Sequence, residues 1–213
     1  PFVLWPWPCL LVVGSAAGGG TDFVTRTLTE GLSAELGQPV LVDNRGGSAG
    51  FVAADSVRRA PPDGYTLMVA PDDVVNWRAL GIHKSINISE DLEPVALLGT
   101  VDFFLVVSGS ALAAKTPADL IRMAKENPGQ LSYASPGIGS PQNLGMELFK
   151  QKTGTDFIHI PYKGMAPAVP DVLAGRVQVM ITGYPTFNTH LESGKIRVLG
   201  AANIQRSAML PQV

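Results

Sequence analysis

The sequence predicts an α/β fold, and three observations support this prediction. Short apolar strands alternate with helical segments along most of the chain, a pattern that favours sheets covered by helices. In both halves, a strand runs into a glycine-rich turn and then into a helix. Apolar residues make up 46 % of the 213 residues and charged residues 16 %, which is typical of a globular protein.

Charge and cysteine content exclude several functional classes. The net charge is −2, and the 16 Lys and Arg residues are scattered, so we expect no nucleic-acid surface. Cys9 is the one cysteine, so an internal disulfide is excluded, and the 3 histidines lack metal-ligand spacing. No apolar run approaches the roughly 20 residues that span a bilayer. The opening PFVLWPWPCLLVVGSAAG is compatible with a signal-peptide core, although it lacks a basic start and contains three prolines.

The chain is organised around residues 8–22, PCLLVVGSAAGGGTD. This stretch predicts a buried strand over residues 10–13, a turn of small residues, and a helix that starts at Thr21 and Asp22. The glycines at 18–20 carry no side chains that would keep a ligand away from the backbone. The free N–H groups of the helix, and the positive end of its dipole, point at whatever lies above the turn. The stretch therefore predicts an anion site.

The first third of the chain predicts a parallel sheet with helical crossovers. Thr21 is the expected N-cap of the first helix and Gly37 its C-terminal stop. The buried stripe of this helix is predicted to be Val24, Leu28, Leu32 and Leu36, with Phe23 beside it. Further elements are predicted as a strand over 39–44, a helix that ends near 60, a strand over 66–71 and a short helix near 74–80. The long apolar stretch 93–109 is typical of a strand.

The second half repeats the alternation of helices and strands. Thr116 and Pro117 start a helix, and Ser140 and Pro141 start another, which Gly154 ends. Strands are predicted over 131–134, 157–160, 177–182 and 196–201, and helices over 166–173 and 186–193. The turn in YASPGIGSPQN has the same build as the first glycine turn. We therefore expect the two turns to face each other across a cleft that holds one small acidic molecule.

Two short motifs resemble those of enzymes. Residues 14–21, GSAAGGGT, approach the phosphate loop of NTPases, but Gly20 occupies the lysine position, which argues against an NTPase. Residues 46–50, GGSAG, match the GxSxG turn of serine hydrolases, with Ser48 as nucleophile and His159 or His190 as base. The same pattern also arises in a tight strand-to-helix turn, so the hydrolase stays an alternative.

Other polar residues near these turns have two interpretations each. Asp22 either interacts with the helix dipole or orients a ligand. Lys163, in PYKG, is either a solvated loop residue or a cation that steers an anion. Tyr162 and Tyr184 follow strand ends, where parallel-sheet proteins build their sites, but they could equally pack at the edge of the cleft.

Several segments spread over the chain together resemble one protein family. They are AAGGGTD, GQPVLVDNR, PPDGYTLMVA, LSYASPGIGS, ELFKQKTG, HIPYKGMAPAVPDVLAGRV and RSAMLPQV. In their order and spacing they are similar to the substrate-binding proteins of tripartite tricarboxylate transporters, the Bug or TctC family. The resemblance extends from about residue 8 to the end of the chain.

This resemblance implies a periplasmic solute receptor and no enzyme. The implied fold is α/β and two-lobed, a type II periplasmic-binding-protein-like Venus flytrap, with lobe 1 at 1–100, lobe 2 at 101–213 and a hinge near 99–102 and 201–204. The implied ligand is a small carboxylate: a di- or tricarboxylate, an acidic amino acid or an aromatic acid. The implied partners are the membrane permease subunits of the transporter. We expect a monomer without cofactor or metal.

Family members hold a carboxylate largely through backbone N–H groups and ordered water in the two glycine turns. Carried over to this sequence, and joined by the polar residues discussed above, the expected ligand-binding residues are Ser15, Ala17, Gly18, Gly19, Gly20, Thr21, Asp22, Asp72, Ser135, Gly137, Gly139, Ser140, Gln142, Tyr162, Lys163 and Tyr184.

The sequence departs from the family pattern at several positions. Ser15 follows Gly14 where the family has a proline and an aromatic residue, Gly46 replaces a proline, and Asn143 replaces a histidine. The turn after the third strand contains Asp72 and Asp73, and a carboxylate facing the cleft would favour a ligand with an amino group. Family members also continue beyond the residues matched here, so we expect an incomplete first lobe that lacks part of its sheet and its last helix.

Overall fold

The computed structural model describes residues 8–213, apart from the side chains of Asp72 and Asp73. In this part of the chain, eight strands form two sheets, which confirms the α/β prediction. No helix in the same part is long and apolar enough to cross a membrane. Residues 1–7, the first seven residues of the signal-peptide-like segment, lie outside the described residues.

The first sheet is parallel, as predicted, with strand order β2-β1-β3. Its strands are β1 (Cys9–Val13), β2 (Val40–Asn44) and β3 (Thr66–Val69). The buried side chains of β1 pack against those of β2 and β3. Helices α1 (Gly20–Leu36) and α2 (Phe51–Arg58) provide the crossovers. Because parallel strands end at the same edge, the turns after all three strands lie together.

Helix α1 differs from the prediction in its start and in its buried face. Gly19, and not Thr21, is its N-cap, whereas Gly37 ends it in the left-handed conformation as expected. The predicted apolar stripe is only partly buried: Val24 and Leu28 are half-buried, and Leu32 and Leu36 are 38 % and 37 % accessible. The helix instead buries Asp22 and Thr25. Hydroxyls along this row bond back to carbonyls four residues earlier, so these short side chains are satisfied locally and can pack on the sheet.

The second sheet is mixed, with strand order β6-β5-β7-β4-β8. Its strands are β4 (Phe103–Ser108), β5 (Ser132–Ser135), β6 (Ile158–Pro161), β7 (Val179–Gly183) and β8 (Ile196–Ala201). Strand β5 is parallel to β6 and β7, whereas β4 is antiparallel to β7 and β8. The two sides of the sheet carry separate buried clusters, one around Tyr133 and Met146 and one around Phe104 and Met180.

Two helices of the second sheet, those that follow Thr116 and Ser140, begin where their capping residues predict. After α3 (Ile88–Asp91), which was not predicted, come α4 (Pro117–Glu126), α5 (Pro141–Thr153) and α6 (Val169–Leu173). Thr116 and Asp119 form a capping box at α4. Ser140 accepts the N–H of Asn143 at α5, and Gly154 ends that helix.

Two predicted elements are wrong in extent. The long strand over 93–109 begins only at Phe103, and residues 93–102 have no regular structure, with Val95 and Leu97 76 % and 85 % accessible. An apolar run becomes a strand only where a neighbouring strand pairs with it. The helix predicted over 186–193 is replaced by short 3-10 turns at Tyr184–Thr186 and Asn188–His190. The two sheets separate between β3 and β4, and the lobe boundary at residue 100 stays a prediction.

Candidate functional site

The glycine turn after β1 contacts the loop after β6, which belongs to the second sheet. The N–H of Ala16 donates a hydrogen bond to the carbonyl of Lys163 at 3.1 Å. Gly46, after β2, lies so close that a Cβ atom there would be 2.7 Å from the Lys163 carbonyl oxygen. The backbones of the two lobes therefore meet directly, without side chains between them.

The second glycine turn, between β5 and α5, also contacts the first lobe, through both backbone and side-chain atoms of that lobe. A Cβ atom on Gly137 would lie 3.4 Å from the backbone nitrogen of Ala49. A Cβ atom on Gly139 would lie 2.9 Å from the Cδ1 atoms of Leu80 and Ile82. Both turns that the sequence singled out thus lie at the contact between the lobes, which is closed.

The start of α1 offers unpaired hydrogen-bond donors at this contact. The first N–H groups of a helix have no partner inside it, and no side chain caps α1 at Gly19. Ser15 Oγ is buried without a hydrogen-bond partner among the described residues, and it lies 3.6 Å from the position of a Cβ on Gly19. A 17-residue helix with such a start attracts an anion through its N–H groups and its dipole.

Asp22 holds the first glycine turn in place. Its carboxylate accepts hydrogen bonds from the N–H of Gly18 at 2.8 Å, from Nδ2 of Asn44 at 2.9 Å and from Nε of Arg26 at 3.0 Å. Asn44 Nδ2 also donates to the carbonyl of Ser15 at 3.2 Å. Burial by itself would raise the pKa of the Asp22 carboxyl, but the hydrogen bonds from Arg26, Gly18 and Asn44 lower it below its usual value. The Gly18 N–H is therefore used inside the turn.

A cavity of about 460 Å³ lies beside this turn. It is bounded on one side by the first two turns of α1 and on the other by Pro185, which follows β7 of the second sheet. Its lining residues are Gly18, Asp22, Phe23, Arg26, Thr27 and Pro185. The charges of Asp22 and Arg26 in its wall neutralise each other.

The second turn is closed by its own side chains, which differs from the expectation for Gly137 and Gly139. The N–H of Gly137 donates to Ser135 Oγ at 3.1 Å, and the N–H of Gly139 donates to Asn143 Oδ1 at 3.0 Å. Ser140 caps α5 and donates to the carbonyl of Gly137. The N–H groups of Gly137 and Gly139 are therefore occupied, because short polar side chains next to them complete the turn first.

Gln142 keeps an unpaired group in the second turn. It is the second residue of α5, and its Oε1 atom is buried without a hydrogen-bond partner among the described residues. Buried polar atoms are normally paired, and an unpaired one costs about 1–3 kcal/mol. This oxygen is an acceptor at the end of α5 that abuts the first lobe.

The hydrolase alternative is not favoured. His159 Nε2 lies 2.7 Å from Ser135 Oγ, and its ring stacks on that of Tyr133 with ring centroids 4.8 Å apart. His159 is therefore not placed as a general base for Ser48. Burial lowers the pKa of His159. His190 belongs to a 3-10 turn of the second lobe. The turn at Ser48 is a tight strand-to-helix connection in which Ser48 has a φ of 48°.

The tyrosines and Lys163 have structural contacts. Tyr162 donates to Asp171 Oδ2 at 2.6 Å, and burial together with that carboxylate raises the pKa of Tyr162 to about 12. Tyr184 packs edge-on against Phe187 with ring centroids 5.7 Å apart. The side chain of Lys163 is exposed, and its carbonyl makes the contact with Ala16. The side chains of Asp72 and Asp73, predicted to affect ligand choice, lie outside the described residues.

Sequence reasoning missed three residues that shape the two turns. Arg26 and Asn44 complete the hydrogen bonding of Asp22. The side chain of Asn143 accepts the N–H of Gly139 at Oδ1, and its Nδ2 donates to the hydroxyl of Tyr133 at 2.7 Å. The available signals were the spacing of four between Asp22 and Arg26, which predicts an ion pair on a helix, and a polar residue at the end of β2.

A family model described as the tripartite tricarboxylate transporter family receptor matches residues 24–213. Among curated proteins, the chain is 36 % identical over 208 residues to Protein BugT of Bordetella pertussis, covering 97 % of this chain and 64 % of that protein. It is 34 % identical over 206 residues to the UPF0065 protein in the tcbD-tcbE intergenic region of Pseudomonas sp. strain P51, covering 97 % and 61 %. The chain thus spans less than two thirds of the length of these relatives.

Solved structures agree with the fold. A periplasmic transporter protein superposes with a TM-score of 0.90 at 34 % identity, covering 97 % of this chain and 69 % of that one. Rpa4515 of R. palustris, solved with adipate, gives a TM-score of 0.84 at 33 % identity, covering 94 % and 68 %. MatC of Rhodopseudomonas palustris, solved with malate, gives 0.87 at 28 % identity, covering 97 % and 70 %. The fold is therefore that of two-lobed periplasmic binding proteins.

Proposed function

The chain belongs to the tripartite tricarboxylate transporter receptor family, and we propose that its parent protein is a periplasmic receptor for a small carboxylate. One observation carries this proposal. The uncapped start of α1 lies where the two lobes meet, beside the buried and unpaired hydroxyl of Ser15. Such a site binds an anion without a basic side chain. Similar proteins solved with adipate and malate support the same class of ligand.

The ligand site proposed here is centred on the first glycine turn. Ala17, Gly20 and Thr21 present backbone donors to a carboxylate, while Gly18, Gly19 and Asp22 give the turn its shape. From the second lobe, the turn from Ser135 to Gln142 closes over the ligand. Tyr162, Tyr184 and Lys163 border the cleft without holding the carboxylate.

Lobe closure is part of the same proposal. The segments near 99–102 and 201–204 would act as the hinge, and they lie side by side. Phe103 donates its N–H to Asn203 Oδ1 at 3.3 Å and accepts the N–H of Ala202 at 2.7 Å. The closed, liganded receptor, a monomer with no enzymatic activity of its own, would deliver the acid to the permease subunits of a tripartite tricarboxylate transporter.

A thermal-shift screen with mono-, di- and tricarboxylates, amino acids and aromatic acids tests the proposal. An acid present at 100 times its Kd should stabilise the protein by about 2.7 kcal/mol. For a chain of this size, this corresponds to a rise in Tm of roughly 5–10 °C. The neutral methyl ester of the same acid is the control and should give no rise. A cooperative melt that no acid shifts would contradict a carboxylate receptor.

The variant Gly20→Pro locates the carboxylate within this site. Gly20 is the first residue of α1, where proline fits a helix, and Gly19 already has the extended backbone that precedes a proline. The variant removes one N–H donor and should lower the affinity for the acid found in the screen about tenfold. This is the effect expected from the loss of one charge-assisted hydrogen bond. Its melting temperature without ligand should stay close to that of the wild type. Unchanged affinity would place the carboxylate elsewhere.

A double change, Asp72→Asn with Asp73→Asn, tests whether acidic side chains select the ligand. If either carboxylate faces the cleft, an acid with an amino group should lose about tenfold in affinity relative to the same acid without it, because a charge-assisted hydrogen bond is lost. Isothermal titration with both acids measures this ratio. An unchanged ratio would show that both carboxylates face solvent.

A further inference from the structure

Among the described residues, three that are not glycine have a left-handed backbone, and all three lie in the first lobe. Ser48 and Ala49 have φ values of 48° and 51° and belong to the turn at 48–50, here called the left-handed turn. His83 has a φ of 49° and lies in the loop at 77–86, here called the histidine loop. Residues with side chains are strained in this region and stay there only where their surroundings hold them.

The ring of His83 contacts the left-handed turn on both sides. It stacks on Phe51, the first residue of α2, with ring centroids 4.4 Å apart and ring planes 22° apart. Burial lowers the pKa of His83, and a hydrogen bond between its ring and the backbone of Ser48 opposes that effect, as expected when a ring N–H donates to a carbonyl. His83 therefore links the residue before Ala49 to the helix that follows the turn.

The histidine loop is held in place by contacts of its own. Trp77 is 1 % exposed, and its ring packs edge-on against His83 with ring centroids 5.0 Å apart. The N–H of Ile82 donates to the carbonyl of Trp77 at 3.0 Å, and the N–H of Ile86 donates to the carbonyl of His83 at 3.1 Å. The position of the His83 ring is therefore set by the loop and does not depend on the left-handed turn.

The left-handed turn and the histidine loop both contact the second glycine turn. A Cβ atom on Gly137 would lie 3.4 Å from the backbone nitrogen of Ala49. A Cβ atom on Gly139 would lie 2.9 Å from Cδ1 of Leu80, in the histidine loop. The shape of the left-handed turn therefore decides how the Ala49 backbone meets the second lobe.

We propose that His83 is a positioning residue, which holds the left-handed turn in the shape that meets the second glycine turn and so favours the closed form of the receptor. This inference rests on the proposed function, because a contact prepared in advance raises affinity only where the lobes close on a ligand. A histidine that only fills the aromatic cluster with Phe51 and Trp77 would instead affect the stability of the whole lobe.

The variant His83→Phe keeps an aromatic ring next to Phe51 but removes the N–H that donates to Ser48. Hydrogen–deuterium exchange should become about 3–10-fold faster at 46–52 and 135–140, the factor for one neutral hydrogen bond, and should not change elsewhere. The melting temperature should stay close to that of the wild type, because a released turn loses strain together with the hydrogen bond.

Isothermal titration measures the effect of His83→Phe on affinity. The probes are malate and adipate, which are bound in two related structures, and any acid found in the thermal-shift screen. An acid that binds the wild type should bind the variant about 3–10-fold more weakly. His190→Phe is the matched control, because His190 is also half-buried but lies in a 3-10 turn of the second lobe, and it should change neither exchange at the two segments nor affinity.

Unchanged exchange at both segments, unchanged affinity, or faster exchange throughout the lobe would each overturn the role of His83. Phe51→Leu removes the ring on which His83 stacks without altering a left-handed residue, and it should give the same local change if His83→Phe folds poorly. Loss of folding in both variants would make the cluster structural and would also overturn the inference. If no acid binds the wild type, the proposed function fails, whereas the exchange rates still decide whether His83 holds the contact.

Discussion

Replacing Asp22 by Asn should lower the free energy of unfolding by about 1.5–3 kcal/mol, the range for hydrogen bonds to charged groups. Asp22 is 3 % exposed, and its carboxylate ties together Gly18, Arg26 and Asn44. An asparagine keeps the shape but turns an NH₂ group towards donors that need an acceptor. Urea denaturation of the wild type and the variant measures the difference.

Asp43→Asn is the matched control for this change. Asp43 pairs with Arg45 at 2.7 Å, but both side chains are more than a third exposed. Exposed ion pairs contribute little, so this variant should cost about 0.5 kcal/mol or less. Equal losses in the two variants would show that the network around Asp22 has no special role in stability.

The effect of Asp22→Asn should depend on pH in a defined direction. The pKa of the Asp22 carboxyl is lowered in the folded protein, because the hydrogen bonds it accepts outweigh its burial. A lowered folded-state pKa gives stability that is fully present above the unfolded value of about 3.9 and is lost as the pH falls through the folded value. The difference between wild type and variant should therefore shrink below about pH 4. A constant difference down to pH 3 would contradict the lowered pKa.

Gly46→Ala should weaken ligand binding by about 10–100-fold, because overpacking costs about 1–3 kcal/mol and Gly46 lies at the lobe contact. Its methyl group would lie 2.7 Å from the Lys163 carbonyl oxygen and 2.9 Å from the Ala16 nitrogen. Both atoms belong to the backbone, so they cannot turn aside as a flexible side chain would. The closed contact and the Ala16–Lys163 hydrogen bond should therefore be lost. Titration with the ligand measures affinity, and small-angle scattering measures closure.

Gly31→Ala is the control for added volume. Gly31 lies in α1, and a Cβ atom there would meet nothing within 4 Å. Alanine is favoured over glycine in a helix by about 1 kcal/mol, so this variant should be slightly stabilised and should bind normally. If Gly46→Ala binds and closes like the wild type, the backbone contact at Lys163 does not belong to the functional closed state.

The sequence predicted helix ends that depend on local chemistry better than it predicted strands that depend on a distant partner. Thr116 and Ser140 start their helices, and Gly37 and Gly154 end theirs, because these effects act over a few residues. The stretch before Phe103 was predicted as a strand because its residues are apolar. It is not a strand in the described structure, since pairing depends on a partner that its own sequence cannot specify.

At the candidate site, the sequence located both glycine turns, but it did not predict which of their backbone N–H groups form hydrogen bonds within the protein. The N–H groups of Gly137 and Gly139 are occupied by Ser135 and Asn143, and that of Gly18 by Asp22. Each of these bonds depends on how a side chain two to four residues away is oriented. Glycine content signals an accessible backbone, but it does not tell which N–H groups remain free.

The sequence by itself determined the α/β class, the parallel first sheet, the caps of α4 and α5, the glycine stops of α1 and α5, and the family. These follow from periodicity, capping and motif order, which are local or additive along the chain. Only the tertiary structure decided that β4 lies antiparallel between β7 and β8, that α1 buries its hydroxyl row, and that Ala16 meets Lys163. These outcomes depend on packing between segments far apart in sequence. Which face of a helix is buried, and which N–H donor stays free, is set by the segment that packs against it in the folded protein.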